Sequence, residues 1–322
     1  MTTIVTGAAG FIGRNVVATL NRQGLDDLLL VDRLGEDEKW KNLRGLHYED
    51  VFSPDDLDGW LHGRAGVDAI IHLGACSDTT ESDADFLLEN NYRFSRRLCS
   101  WAVEHDARFV YASSAATYGD GTHGYTDDDA STRRLKPLNM YGYSKHMFDL
   151  WALRSGLLNQ VVGLKFFNVF GPFEEHKGDM RSVVAKAHGQ ILATGELSLF
   201  KSYRNDVADG DQRRDFVYVD DAVAVILHFL QRRDVSGLYN CGTGVARTWV
   251  ELASAVFQAM DRPTDVRFID MPEGIRAKYQ YFTQADTSRL RQAGFEADFL
   301  DLETAVETYV RSHLNEVAED AQ

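Results

Sequence analysis

The chain has 322 residues, 44% of them hydrophobic, and its acids outnumber its bases 49 to 34 for a formal charge of −15. That length suits one large or two ordinary domains around a sizeable core, and the negative balance argues against nucleic acid or an anionic membrane as a partner, though a local basic pocket could still take a small anion. No apolar run approaches the roughly 20 residues of a membrane span, no basic-then-apolar leader opens the chain, and the three dispersed cysteines, Cys76, Cys99 and Cys241, suit a reducing cytoplasm better than a disulfide framework or a zinc site.

The first predicted element is a short apolar strand, "TIVTG". It runs into "GAAGFIG" and then an amphipathic helix over residues 11–22. Strand, glycine turn and helix in that order form the context of a phosphate-binding turn. Gly7 permits the tight turn, Gly10 lets a pyrophosphate approach the backbone, and Gly13 allows helix to pack closely on strand. The helix N-terminus, at Phe11 and Ile12, offers free N–H groups to phosphate. A second strand, "DLLLVD", ends in Asp32, where an acid is expected to hold an adenosine ribose. Arg33 and Lys39 follow, and cations there suit the 2′-phosphate of NADP. The two signals conflict: Asp32 points to NAD, Arg33 and Lys39 to NADP.

A third strand, "DAIIHLGA", opens through Leu73, Gly74 and Ala75 into Cys76 and Ser77, small residues of the kind needed where a cofactor crosses a sheet. His72 and Cys76, without further ligands, read as packing and not as a metal site. A fourth strand is predicted over residues 109–119, "FVYASSAATYG", carrying Ser114. Strands alternating with helical stretches predict an α/β fold, a doubly wound parallel (Rossmann) sheet with a smaller interleaved α/β substrate-binding domain.

"NMYGYSK" places Tyr141 and Lys145 four residues apart at the start of a helical pattern, so both share one face. A phenol titrates near 10, and a cation one turn away is expected to lower that value. Lys145 could also reach the nicotinamide ribose, and Ser114 could donate to a substrate oxygen. Together they suit interconversion of an alcohol and a ketone with a nicotinamide as hydride partner.

At this point the chain resembles the extended short-chain dehydrogenase/reductases that act on nucleotide sugars, through "GAAGFIG", "YASSAATYG", "YGYSK", "FNVFGP", "RRDFVYVDD" and "YNCGTG" in order. Within them it is most similar to the ADP-glyceromanno-heptose 6-epimerases, over residues 3–309, through "GACSDTTESD", "ENNY", "HKG", "KYQYFTQAD" and "LRQAGF" as well. The resemblance implies an NADP-dependent inversion at C6″ of ADP-heptose, with NAD the less favoured cofactor. Inversion by oxidation and hydride return presents both faces of a carbonyl to one nicotinamide, so the hydroxyl oxygen occupies two positions. By resemblance Tyr141 serves one of them and Lys177, in "HKG", the other. The same likeness implies Asn90 and Val169 as further cofactor contacts, together with Tyr141, Lys145 and Lys177. On the substrate side it implies Ser114, Asn168, Asp179, Lys186, the stretch Phe200, Lys201, Ser202 and Tyr203, then Arg214 and Tyr279. No metal is implied. Arg214 has a bland alternative, a salt bridge to Asp215 or Asp211.

Two departures from the family pattern stand out: Arg33 where Asn is frequent, and Pro54 near a position where a lysine often helps hold NADP. Residues 1–168 are expected to form the dinucleotide-binding domain, with about 214–243 returning to it, and 169–322 most of the substrate-binding domain. Helices are predicted over 180–193, 219–232 and 249–260, with strands at "LSLF", "GLYNCG" and "DVRFID". Residues 202–212 read as a mobile loop that could act as a lid, and the tail 315–322 as frayed. The resemblance further implies a homo-oligomer, commonly a pentamer.

Three rivals remain. A 4,6-dehydratase would carry acids after the strand-end hydroxyl, where "SSAA" has alanines. A 4-epimerase needs only Ser114, Tyr141 and Lys145. A non-catalytic NADP-binding module would not need both Tyr141 and Lys145.

Overall fold

Runs of consecutive buried residues set the central layer. They lie in β1 (Thr2–Thr6), β2 (Leu28–Val31), β4 (Val67–His72), β5 (Arg108–Ser114) and β6 (Val162–Phe166), with the short β3 (Asp50–Phe52) at the edge. Strands apolar on both faces need helices on both faces, which is the geometry of a parallel sheet. Neighbouring residues divide between the two layers. Ile4, Ile70 and Phe109 pack on one side with Leu98, Cys99, Phe148 and Ala152; Val5, Ile71 and Val110 pack on the other with Val16, Leu20, Val223 and Ile226. The computed structural model describes residues 2–36, 38–64, 66–276 and 279–320.

After β6 the chain changes sheets. β7 (Asn168–Phe170) and β9 (Arg213–Tyr218) pair with each other, and β8 (Leu197–Phe200) lies apart. β10 (Gly237–Cys241) then comes back to pair parallel with β6. The large sheet has the order β10-β6-β5-β4-β1-β2-β3, all parallel. Its strand order reverses between β1 and β4, which opens a crevice at their C-terminal ends. β11 (Ala246–Thr248) pairs antiparallel with β9, and β12 (Val266–Ile269) parallel with β8. A second core, with Phe170, Val184, Leu199, Phe216, Val256 and Val306, joins these small sheets to helices Val183–Thr194, Trp249–Ala259 and Leu302–Tyr309. Of the segment 214–243 expected to return to the first domain, β10 lies in the large sheet and helix Val219–Gln231 packs on it, whereas β9 belongs to the three-stranded sheet.

Several boundaries differ from expectation for identifiable reasons. The strand predicted to 119 stops at Ser114, whose hydroxyl accepts from Ala116 N (3.1 Å) and turns the chain into a 3-10 turn, Ala115–Tyr118. The helix predicted from 180 begins at Val183, capped by Ser182, after a separate 3-10 turn, Glu175–Met180. Residues 202–212 carry no helix or strand, but are pinned by Ser202 N to Asp209 (2.6 Å) and Tyr203 N to the Tyr281 hydroxyl (3.0 Å). The tail is helical from Asn315 to Asp320, while 321 and 322 lie outside the described residues.

One fully buried ion pair ties the layers together. Lys165 Nζ on β6 meets Asp149 Oδ2 at 2.7 Å, both side chains wholly shielded from solvent. Asp149 also accepts from Tyr111 Oη (3.0 Å) and Ser113 Oγ (2.7 Å) on β5, and Lys165 donates to Thr117 Oγ1 (2.7 Å). Asp149 sits on helix Met140–Arg154, so this helix is held to two strands by charge. Removing one partner strands the other without solvent. Lys165→Met is therefore expected to lower unfolding stability by about 3–5 kcal/mol, and Lys165→Met/Asp149→Leu to recover part of that loss. Urea unfolding curves of the two variants check this.

Candidate active site

The glycine turn is built by backbone contact. Gly7 has φ +69°, a conformation side chains rarely adopt, and a Cβ there would lie 2.7 Å from Gly74 N. A Cβ on Gly13 would lie 2.1 Å from the Gly7 carbonyl oxygen. The turn is held by Gly10 N to Gly7 O (3.0 Å) and by Ala9 N to Asp32 Oδ2 (2.8 Å). Helix Phe11–Arg22 starts at Gly10 with no side chain capping it, which leaves its first N–H groups facing the cleft. A cradle stripped of side chains, a helix N-terminus and an acid at the next strand end fit a nicotinamide dinucleotide.

A cleft of about 570 Å³ opens there. Its walls include Gly7, Gly10, Phe11, Ile12, Gly13, Asp32 and Lys39 on the turn side, with Leu73, Gly74, Ala75, Cys76 and Ser77 beyond β4. Ser114, Tyr141, Lys145, Val169 and Lys177 line the same cleft. The sequence reading missed Asp78, Ala112, Ser113, Phe166, Phe167, His176 and Met180, all of which line it too. Alternation along β5 brings Ala112 and Ser114 to one face, so the strand period held a signal for the first of these.

Two expected cofactor residues stand elsewhere. Asn90 does not line the cleft, and its amide donates to Asn91 Oδ1 (3.1 Å). Asn91 is the inward residue: it accepts from Cys76 N (2.9 Å) and donates to Cys76 O (2.9 Å) and Ser144 Oγ (3.0 Å). A π-helical turn at Leu88–Arg93 rotates the helix by a fraction of a turn and decides which of the two asparagines faces in. Arg33 is also outside the walls, forked onto Asp55 with both contacts at 2.7 Å. Lys39, which does line the cleft, pairs with Asp32 Oδ1 at 2.5 Å. His72 is a core residue, with Nδ1 on Thr6 Oγ1 (2.7 Å), Nε2 on Ser95 Oγ (2.8 Å) and burial pushing it down to about 3.

The helix cap Asn139, accepting from Gly142 N (2.7 Å), sets the register of Tyr141 and Lys145. Lys145 Nζ donates to Ala112 O (2.9 Å). Burial lowers it to about 8, with Asp149 one turn on pulling the other way. The expected lowering of the phenol by Lys145 is reversed: burial raises Tyr141 above its usual value, and the hydrogen bond with Ser114 only partly offsets this. Desolvation disfavours the phenolate as it does the ammonium, so burial of the pair opposes the lowering that a neighbouring cation would give.

Lys177 reaches the cleft from the 3-10 turn Glu175–Met180, its Nζ 5.2 Å from the centre of the Phe11 ring. Burial lowers this amine, and Glu174 opposes the shift. Tyr141 and Lys177 thus come to one cavity from two separate elements.

Of the residues expected on the substrate side, Ser114 lines this cleft and the others do not. Arg214 is buried, stacked near Tyr279 (5.1 Å) and Trp249 (5.6 Å). No carboxylate pairs with it among the described residues. Asp215 instead accepts from Thr243 N (2.8 Å), Gly244 N (2.9 Å) and Ala285 N (3.0 Å), so the salt-bridge alternative fails. Tyr279 accepts from Trp249 Nε1 (2.9 Å). Phe200 and Ser202 are half-buried, while Lys201 and Tyr203 converge on Asp270, each at 3.2 Å. Asn168 is exposed on β7, and exposed Lys186 donates to the carbonyl of Asp179 (3.3 Å).

Comparison with known proteins gives one picture. A family model described as the NAD dependent epimerase/dehydratase family matches residues 3–242. The chain is 56% identical over 314 residues to the ADP-L-glycero-D-manno-heptose-6-epimerase of Nitratidesulfovibrio vulgaris (strain DP4), covering 97% of each. It is 45% identical over 324 residues to the enzyme of that name from Fusobacterium nucleatum, again covering 97% of each. The crystal structure of the Helicobacter pylori ADP-L-glycero-D-manno-heptose-6-epimerase superposes with a TM-score of 0.82 at 27% identity, covering 97% of this chain and 95% of that one. A UDP-N-acetylglucosamine 4-epimerase from Methanobrevibacter ruminantium M1 shares the fold, with a TM-score of 0.81 at 22% identity and 99% and 98% coverage.

The position of Lys145 has a measurable consequence. Its proton leaves at about pH 8 in the folded protein and near 10.5 in the unfolded chain. Between those values the unfolded state binds more protons, so this group's contribution to stability rises with pH. Below about pH 8 the contribution is a constant penalty. Lys145→Met is expected to be more stable than the parent at pH 7, with the difference shrinking from pH 8 to 10; denaturant midpoints across that range check it.

Proposed function

The chain belongs to the NAD dependent epimerase/dehydratase family, and from that premise we propose that it is an ADP-L-glycero-D-manno-heptose 6-epimerase, inverting C6″ of ADP-D-glycero-D-manno-heptose. The observation that carries this reading is the presence of two proton-handling side chains, Tyr141 and Lys177, in one cleft beside a dinucleotide cradle. A 4-epimerase would leave Lys177 without a task. A dinucleotide on the glycine turn supplies reversible hydride acceptance, which takes the C6″ alcohol to a ketone and back.

The chain's own groups manage the proton and the geometry. Tyr141, bonded to Ser114, takes the hydroxyl proton in one orientation of the sugar tip. Lys177 gives a proton to the oxygen once the tip has turned and the opposite face has been reduced. The alcohol loses and regains one proton and one hydride, so no outside oxidant is consumed. Lys145 holds the ribose side of the cradle. Arg214, buried and without a carboxylate, suits the substrate diphosphate, and Tyr279 and Trp249 flank it. The reading places the enzyme in the cytoplasm as a homo-oligomer.

Tyr141→Phe and Lys177→Met are each expected to slow interconversion of the two ADP-heptose epimers at least ~10²-fold, a loss well beyond any change in dinucleotide affinity measured on the same variants. Native turnover in Lys177→Met removes the lysine from the mechanism.

For the cofactor we favour NADP over NAD. Arg33 and Lys39 flank Asp32, and the bridge that holds Arg33 to Asp55 is open to solvent, with side chains 56% and 69% exposed. An exposed bridge is weak enough for a 2′-phosphate to displace. Titration of the cofactor-free protein is expected to show tighter NADP than NAD, and Asp55→Asn to widen the gap roughly two- to fivefold. Tighter binding of NAD by the parent overturns the assignment.

A further inference from the structure

Glu174 is the least accounted-for charge near the cleft. It is wholly buried, three residues before Lys177 in "EEHKG". Its Oε2 accepts from Ser182 N (2.6 Å), and its Oε1 accepts from the Ser182 hydroxyl and from Tyr309 Oη (3.0 Å). Among the described residues the cation paired with it is Lys177, whose Nζ lies 3.9 Å from Oε2. A buried carboxylate is costly unless hydrogen-bonded and paired. Here the hydrogen bonds come from structural elements, and the compensating charge is an amine that lines the reaction cleft.

The surroundings make this carboxylate a junction. Ser182 caps helix Val183–Thr194, and Tyr309 ends helix Leu302–Tyr309. Lys177 N donates to Glu174 O (3.0 Å), which closes the turn that carries the lysine. Phe173, just before, is held at φ +72°, with Arg14 over its ring at 3.9 Å and its N–H directed at His313 Nε2 (3.4 Å). A non-glycine residue in that region is strained and needs such support.

We propose that Glu174 is the positioning residue of Lys177: its carboxylate, fixed by Ser182 and Tyr309, aims the amine into the cleft and keeps a compensating charge beside it. The inference rests on the reading of Lys177 as an acid/base, but the contact itself does not. Burial draws the amine down and Glu174 draws it up, with Lys186 on helix Val183–Thr194 adding to the downward pull. The other charged or titratable groups around the junction are Glu175, which pairs with His313 (2.6 Å), His176 on Asn42 (3.1 Å), and Arg181. Removing the Glu174 charge therefore moves the amine's midpoint to lower pH.

The test reads the amine directly. Lys177 is acylated with an amine-selective reagent over a pH series and its peptide quantified by mass spectrometry, in the parent, Glu174→Gln and Tyr309→Phe. The midpoint is expected to fall in Glu174→Gln and to stay in place in Tyr309→Phe, which removes a hydrogen bond but no charge. In the same variants, the limb of the epimerisation pH profile that disappears in Lys177→Met is expected to shift with the midpoint. An unmoved midpoint in folded Glu174→Gln overturns the proposal, as do equal shifts in both variants, which mark a merely structural contact. A moved midpoint with an unmoved pH profile keeps the contact and sinks the acid/base reading of Lys177 instead. Should Glu174→Gln fail to fold, Glu174→Asp carries the test: retracting the carboxylate lowers the midpoint, and an unchanged value overturns the inference.

Discussion

Three backbone segments touch at one point, and the site depends on that contact. Gly7 on the turn, Gly13 in the first helix and Gly74 after β4 approach so closely that no Cβ fits between them. This draws the N-terminus of the helix onto the ends of β1 and β4, where the strand order reverses. Without that approach the helix dipole would face side chains instead of a cleft. Everything that lines the far wall, from Ser114 to Lys177, is placed relative to this junction.

Two buried charge networks brace the chemistry from either side. Asp149 and Lys165 lock helix Met140–Arg154 to β5 and β6, so Tyr141 and Lys145 ride on an element that is held by charge as well as by packing. Glu174 does the corresponding work for the turn that carries Lys177, tying it to Ser182 and Tyr309. Both carboxylates are wholly buried, and both sit within one turn or so of a lysine in the cleft. The lysines lose proton affinity by desolvation and regain part of it from these acids. Burial thus tunes the amines, and the acids limit how far the tuning goes.

Much of the site was legible because its signals are local. The glycine spacing, Asp32 at a strand end, Ser114 before a turn and the Tyr141–Lys145 pair are short-range patterns with backbone causes. Asn91 and not Asn90 bonds to Cys76 because a π-helical turn shifts the helical phase, and no periodicity in "LENNYR" announces it. The fork of Arg33 onto Asp55 was not legible, because that partner lies 22 residues away. The phenol of Tyr141 was expected to be acidic because neighbours can be counted in a sequence while burial cannot.

The alternation of strands and helices, the glycine turn and the placing of Tyr141 and Lys145 on one helix face were determined by the sequence alone, since each rests on spacing within one or two elements, whereas Lys177 was singled out only by the resemblance of "HKG". The tertiary structure decided what depends on distant residues. Among the described residues it left Arg214 without a carboxylate by giving Asp215 to Thr243, Gly244 and Ala285, and it turned the hydroxyl of Tyr309 onto Glu174. It also set the direction of every shifted proton affinity in the cleft, because desolvation is a property of the packed molecule and not of any stretch of its chain.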